Sequence, residues 1–368
     1  MSHKMIRAVL ATSFLLLSTA NLQSQDLTWT DIKTLGVEGR GFEKTRSFFD
    51  RLPARAEQLV RPAVWSLSRD SAGMAVRFVT EARTIHARWT LKRDRLALPH
   101  MPATGVSGVD LYVRDGRNKW RWLACGFPTR TPTNSVRLVS GIPPGRREYL
   151  LYLPLYNGVT SVEVGVPSGQ TVEAAAKRPR SHSRPILFYG TSITQGACAS
   201  RPGMTHVAML GRRYERPVIN LGFSGNGRME IELAGLLAEV DAVVYVIDCL
   251  PNMSSEHVAK RTPPFVRRLR KSRPHTPIVL VEDRSYADSF LVTSKRTRNE
   301  KSRQALKAAF EALEKEGLKG LHYLEGSGLL GDDGEGTVDS SHPNDLGFLR
   351  QAAEFARVLG PLLEAKAP

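Results

Sequence analysis

Four short stretches of the chain carry residues whose types and order suit nucleophilic chemistry. Gly190-Thr191-Ser192-Ile193-Thr194-Gln195-Gly196 sets a hydroxyl between glycines directly after the apolar run Ile186 to Tyr189. A serine just past a buried strand and entering a helix sits where backbone N–H groups converge, although the same residue can simply cap the helix. Asn220 to Gly227 contains Gly222, Gly225 and Gly227. Such glycines permit positive φ or close backbone approach, whether to offer an N–H to a ligand or to make a plain turn. Asp248-Cys249-Leu250-Pro251-Asn252 places an amide side chain beyond another apolar run, where Pro-Asn is also an ordinary turn. Near the carboxyl end comes Asp339-Ser340-Ser341-His342-Pro343-Asn344. Pro343 disfavours helical geometry at His342, so the imidazole belongs in a loop ahead of a final helix capped by Asn344. A carboxylate three residues earlier can bond the imidazole and fix its tautomer, leaving the second nitrogen free to take a proton.

The elements that must position these groups change character midway. From Asp26 to Ala176, short β-rich runs are separated by turn residues: Met74 to Thr80, Thr84 to Leu91, Val109 to Val113, Trp120 to Cys125, Arg147 to Leu153 and Ser161 to Val166. This spacing predicts a β-sandwich, and the alternation in Ile85-His86-Ala87-Arg88-Trp89 predicts a sheet with one wet face. Lys177 to Pro185 is polar, basic and without apolar period, as a domain linker is. Beyond it, strands at Ile186 to Tyr189, Pro217 to Leu221, Ala242 to Ile247 and Ile278 to Val281 alternate with helical patterns. Those patterns are Ala259 to Leu269, Arg303 to Glu316 and a closing stripe of Leu349, Ala352, Ala353, Ala356, Leu359 and Leu363. That order predicts an α/β domain over residues 186–368. Its parallel sheet should carry helices on both faces, with a site at the carboxyl ends of its strands.

Composition narrows the class. The 368 residues are 41% hydrophobic and 24% charged, which excludes disordered and fibrous architectures and is enough for about two domains. The excess of 52 Lys+Arg over 36 Asp+Glu, +16 in all, favours anionic surroundings without choosing a fold. Residues 1–25 read as a cleavable signal peptide: Lys4 and Arg7, an apolar run from Ala8 to Leu17, then Ser18-Thr19-Ala20. The run is shorter than the roughly 20 residues a membrane span needs, so no stable anchor is expected and the mature chain should be secreted or periplasmic.

The four stretches together resemble the blocks of the SGNH/GDSL hydrolase superfamily across about 180 residues, in order and in strand context. Upstream, Gly108-Val109-Asp110-Leu111-Tyr112 resembles the GxDLY signature of the β-rich domain that precedes one branch of these enzymes. The resemblance implies a flavodoxin-like three-layer catalytic fold. It also implies Ser192 as nucleophile, His342 as base, Asp339 as its partner, and an oxyanion hole from the N–H groups of Ser192 and Gly225 with the Asn252 amide. Thr191 departs from the motif, which has Asp there, and Leu250 stands where the third block has glycine.

The expected activity is a serine esterase acting on short acyl esters, acetyl esters of a carbohydrate above all. No cofactor or metal is expected, since no zinc, calcium or phosphate-loop spacing is present. No long apolar lid segment speaks for lipid substrates. An acyltransferase using the same residues and a non-catalytic binder of anionic polysaccharide are the alternatives. Nucleic acid is not an expected partner, because charge comes without a recognised motif. Arg201 reads as an exposed loop arginine, and His206 as packed on the first helix of the second half. Cys198 and Cys249 can form a bridge or remain two buried thiols. His86 and His322 lie in strand-like runs without ligand spacing.

Overall fold

The computed structural model describes residues 26–364; the expected signal peptide lies outside the described residues. Among them, no helix is long and apolar enough to cross a membrane. The first half contains β1 (Leu27–Asp31), β2 (Val37–Glu38), α1 (Pro62–Ser68), β3 (Ala75–Thr80), β4 (Thr84–Leu91), α2 (Ala103–Val106), β5 (Val109–Arg114), β6 (Trp120–Gly126), β7 (Thr133–Ser140), β8 (Arg147–Tyr152), β9 (Val159–Pro167) and β10 (Glu173–Ala174). Two antiparallel sheets result, ordered β1-β9-β4-β7 and β10-β3-β8-β5-β6, with β2 on β3. In β4 the alternation is complete: Ile85, Ala87, Trp89 and Leu91 are buried, and the residues between them are not. These side chains meet Val76, Phe78, Leu111, Tyr149 and Leu151 of the other sheet in one core, which makes the pair a sandwich.

The second half contains α3 (Arg180–Ser183), β11 (Ile186–Gly190), α4 (Ser192–Gln195), α5 (His206–Arg213), β12 (Val218–Gly222), α6 (Ile231–Leu237), β13 (Val244–Asp248), α7 (Ser255–Ser272), β14 (Ile278–Val281), α8 (Thr293–Lys315), β15 (Leu321–Leu324) and α9 (Asp345–Glu364). Its sheet is wholly parallel, in the order β12-β11-β13-β14-β15. This is the flavodoxin-like order, with a topological switch at β11. Every residue of β11, β12 and β13 is buried because helices cover both faces. Leu187 and Tyr189 pack among residues of α6, α7 and α8, while Ile186 and Phe188 pack against α5 and α9. Each large apolar side chain buried this way contributes roughly 1.5–3 kcal/mol.

Two sequence expectations need correction. The closing stripe holds at Ala352, Ala356, Leu359 and Leu363, which are buried, but Leu349 is 57% exposed and Ala353 is exposed, whereas Phe348 and Phe355 are buried. The aromatic rings take the inner face, where Phe348 stacks on His206 of α5 and Phe355 tilts against His206 and against Phe188 of β11. Arg201 is not a free loop arginine. Its guanidinium donates to the fully buried Asp110 (2.7 Å) and to the Tyr112 hydroxyl (2.7 Å), and Asp110 also accepts from Gly203 N–H (2.8 Å) and Trp122 Nε1 (2.9 Å). The Gly-x-Asp-Leu-Tyr segment is thus the place where sandwich and α/β layer lock. Burial pushes the Asp110 carboxyl above its ordinary value even against these donors.

The two halves also share more than a linker. Phe42, Leu52, Ala56 and Val64, from the segment between β2 and β3, join the core under α6 and α7. Arg51, fully buried, donates to the carbonyls of Leu67 (2.7 Å), Asp70 (2.9 Å), Asn220 (2.9 Å) and Gly222 (2.8 Å), so it fastens the sandwich side to the end of β12. Within the linker, Arg178 pairs with Glu38 (2.8 Å).

Candidate active site

The chain leaves β11 at Gly190, where a Cβ would lie 2.1 Å from Thr194 Oγ1 and 2.6 Å from Asp248 O, so only glycine allows the turn to fold back this tightly. Thr191, extended at the cap of α4, accepts from Ile193 N–H (3.3 Å), which is the work its hydroxyl does in place of an aspartate. Ser192 is the first residue of the helical turn and is 7% exposed. The turn is pinned on several sides. Asn220 Nδ2 donates to Thr194 O (2.7 Å), and Thr194 Oγ1 donates to Asp248 (3.2 Å). Gln195 donates to Asp70 (3.1 Å) and accepts from Ser224 N–H (3.0 Å). Tyr156, from the loop after β8, donates to Ser192 O (3.1 Å). Asp248 in turn pairs with buried Arg284, which Gln351 of α9 also engages.

The Asp339 to Asn344 loop meets this turn across 150 residues of sequence. Asp339 Oδ1 accepts from the N–H groups of Ser341 (3.1 Å) and His342 (2.8 Å), closing a tight turn. Its other oxygen lies 2.7 Å from His342 Nδ1, and His342 Nε2 lies 2.8 Å from Ser192 Oγ. One tautomer satisfies both contacts, with the proton on Nδ1 and Nε2 accepting from the hydroxyl. Partial burial raises the Asp339 carboxyl, but the N–H of His342 and the imidazole outweigh it and hold the group below its usual range. Asn344 caps α9 through Gly347 N–H (3.0 Å), as expected. Asp345 ties the start of that helix to Ser200 N–H (2.9 Å).

Gly225 and Asn252 lie beyond the strands on either side of β11, since Gly190 is in register with both Gly222 and Asp248. Gly225 has φ +68° and borders open space; its carbonyl is turned to Arg228 (2.8 Å). Asn252 ends a 3-10 turn, Leu250–Asn252. Its Nδ2 is buried and donates to nothing among the described residues, a costly arrangement unless the amide serves a ligand. Leu250 is fully buried in the core below.

Cys198 and Cys249 are both buried free thiols, not a bridge. His206 stacks on Phe348 and tilts against Phe355, with neither ring nitrogen bonded; burial, then the nearby Arg284 charge, lowers it to about 3. One residue of the neighbourhood carried no signal in the sequence. His100, in the loop between β4 and β5, has its ring centroid 5.7 Å from that of His342. His100, Cys198 and His342 are a group of potential metal ligands gathered beside the serine, from three distant places in the chain.

A doubly wound sheet with a serine, an imidazole and a carboxylate in one hydrogen-bonded line at its switch point defines a class of ester-hydrolase folds, and comparisons with known proteins agree. Residues 183–360 match the GDSL-like lipase/acylhydrolase family, and residues 27–172 match the GxDLY N-terminus of Esterase_SGNH_hydro-type proteins. A protein from Bacteroides ovatus described as a GDSL-like lipase is 34% identical, with 92% of this chain and 98% of that one covered at a TM-score of 0.86. The chain belongs to the GDSL-like (SGNH) hydrolase family, in the branch that carries the GxDLY part. Two further structures share the fold. A salicylyl-acyltransferase from a tetracycline biosynthetic pathway is 19% identical (91% and 97% covered, TM-score 0.70). An acetyl xylan esterase from Butyrivibrio proteoclasticus is 13% identical (93% and 100% covered, TM-score 0.54). No curated protein matches the chain.

Proposed function

We propose that the protein is an exported serine esterase that removes short acyl groups, acetyl in particular, from carbohydrate esters. The observation that carries this is the line Ser192 Oγ, His342 Nε2, His342 Nδ1, Asp339 Oδ2, with contacts of 2.8 and 2.7 Å. Ser192 attacks the ester carbonyl while Nε2 takes its proton. Asp339, kept ionised, stabilises the imidazolium. Charge developing on the carbonyl oxygen is met by the N–H groups of Ser192 and Gly225 and by Asn252 Nδ2, a donor with no other duty among the described residues. His342 then protonates the leaving alcohol, and water, deprotonated by the same nitrogen, releases the acid. The carbohydrate preference is supported by the shared fold with an acetyl xylan esterase, and export by the pattern of residues 1–25.

The test is mass spectrometry after a fluorophosphonate probe, together with acetate release from p-nitrophenyl acetate and acetylated xylan. Labelling confined to the Ser192 peptide and lost in Ser192→Ala, with acetate released by the wild type only, is the expected result. No labelled serine, or a label elsewhere, overturns the assignment. Transfer of acetyl to an added sugar acceptor in preference to water would make the enzyme a transferase.

A further inference from the structure

We propose that His100, Cys198 and His342 form a binding site for a thiophilic divalent cation such as Zn²⁺, and that occupancy switches the enzyme off. One nitrogen or sulfur from each residue lies within 4.8 Å of the others. Two imidazoles and a thiol are a donor set that zinc and its neighbours favour, and three protein ligands leave a further position for water. In a tetrahedral zinc site, metal–ligand bonds of 2.0–2.3 Å put donor atoms about 3.3–3.8 Å apart. The side chains therefore close by roughly an ångström, which exposed His100 supplies by rotation about its own side-chain bonds.

The surroundings hold the ligands for this task. His342 already has a carboxylate on Nδ1 at 2.7 Å, the partner that orients most zinc-bound histidines, and that leaves Nε2 as the nitrogen a cation meets. His100 sits in a closed loop whose ends exchange two hydrogen bonds, Leu98 N–H to Met101 O (3.0 Å) and Met101 N–H to Leu98 O (3.1 Å). Leu98 and Met101 pack in the same small apolar cluster as Cys198. Thr104 Oγ1 donates to Ser200 O (2.5 Å), so the loop from the sandwich is fixed against the Cys198 segment. Cys198 itself has φ +71°, a conformation that costs an L-residue about 1–2 kcal/mol and that glycine would adopt freely.

Binding balances simply. A sulfur–metal bond forms as the Cys198 S–H proton passes to solvent, and each imidazole contributes a nitrogen lone pair. Ser192 keeps its proton and loses its acceptor. A thiol binds a metal only as the thiolate, so the cation must displace that proton and its affinity rises with pH. The inhibitory half of the proposal rests on the role proposed for His342; the binding half does not.

Two measurements keep those halves apart. The first is the absorption spectrum of the full chain titrated with Co²⁺ alone, which reports a cobalt–thiolate charge-transfer band without any need for turnover. The band is expected in the wild type, absent in Cys198→Ser, and shifted to much higher cobalt in His100→Ala. Losing an outer partner of a metal site costs 10- to 100-fold in affinity, so losing the direct ligand His100 should cost about 100-fold. The second is ester hydrolysis against Zn²⁺, each variant compared with its own metal-free rate. Wild type should be silenced and restored by EDTA, with His100→Ala needing about 100-fold more zinc. No charge-transfer band in wild type overturns the site. A band with undiminished hydrolysis overturns the switch. Absence of any esterase activity, with the band present, removes the proposed function and the switch and leaves a metal site.

Discussion

Replacing Asn252 with alanine separates stability from catalysis in a way the structure makes quantitative. Asn252 Nδ2 is buried and unbonded among the described residues. A buried donor without a partner costs roughly 1–3 kcal/mol in the folded state, so its removal should leave stability unchanged or raise it by about 1 kcal/mol. Turnover should move the other way. An oxyanion donor of this kind is worth about 10²- to 10³-fold in kcat, or roughly 2.7–4 kcal/mol, because it engages charge that exists only in the transition state. KM should barely change. The assay pairs urea denaturation with steady-state hydrolysis of p-nitrophenyl acetate for wild type and Asn252→Ala. Loss of stability with wild-type kcat would show that the amide holds the 3-10 turn together and serves no oxyanion, and the mechanism would lose its third donor.

Three other perturbations follow from the same structure. Ser192→Ala and His342→Ala should each abolish nearly all hydrolysis, and the double variant should cost little more because the two groups act as one unit; additive losses in kcat would argue against a shared proton line. Asp110→Ala leaves Gly203 N–H and Trp122 Nε1 without their acceptor, and Arg201 with the Tyr112 hydroxyl but no carboxylate. It should destabilise the protein by about 3–5 kcal/mol, seen as a lower urea midpoint, whereas an unchanged midpoint would show that the lock between the halves is idle. His206 is held neutral in the fold, so the unfolded chain binds a proton that the folded chain refuses. Its contribution is complete above about pH 6.5 and is lost progressively as pH falls toward about 3. His206→Phe should therefore flatten the acid limb of stability by a few kcal/mol, and an unaltered limb would place acid sensitivity elsewhere.

Much of this protein could be read from short stretches of sequence. The type of each half followed from periodicity, because alternation and fully apolar runs report directly whether a strand has one or two covered faces. Asp339 and His342 were legible as a pair because three residues and a proline confine their geometry. Ser192 was legible because a strand end and a helix start confine it too. Other parts were decided only by packing. The phase of α9 depended on which rings His206 and Phe188 would accept, and Arg201 found Asp110 across 91 residues. The nearness of His100 to Cys198 and His342 depends on how the sandwich seats on the parallel sheet. Local motifs speak through backbone geometry over a few residues. Partners far apart in the chain are chosen by the burial of whole surfaces, and no short stretch of sequence encodes that choice.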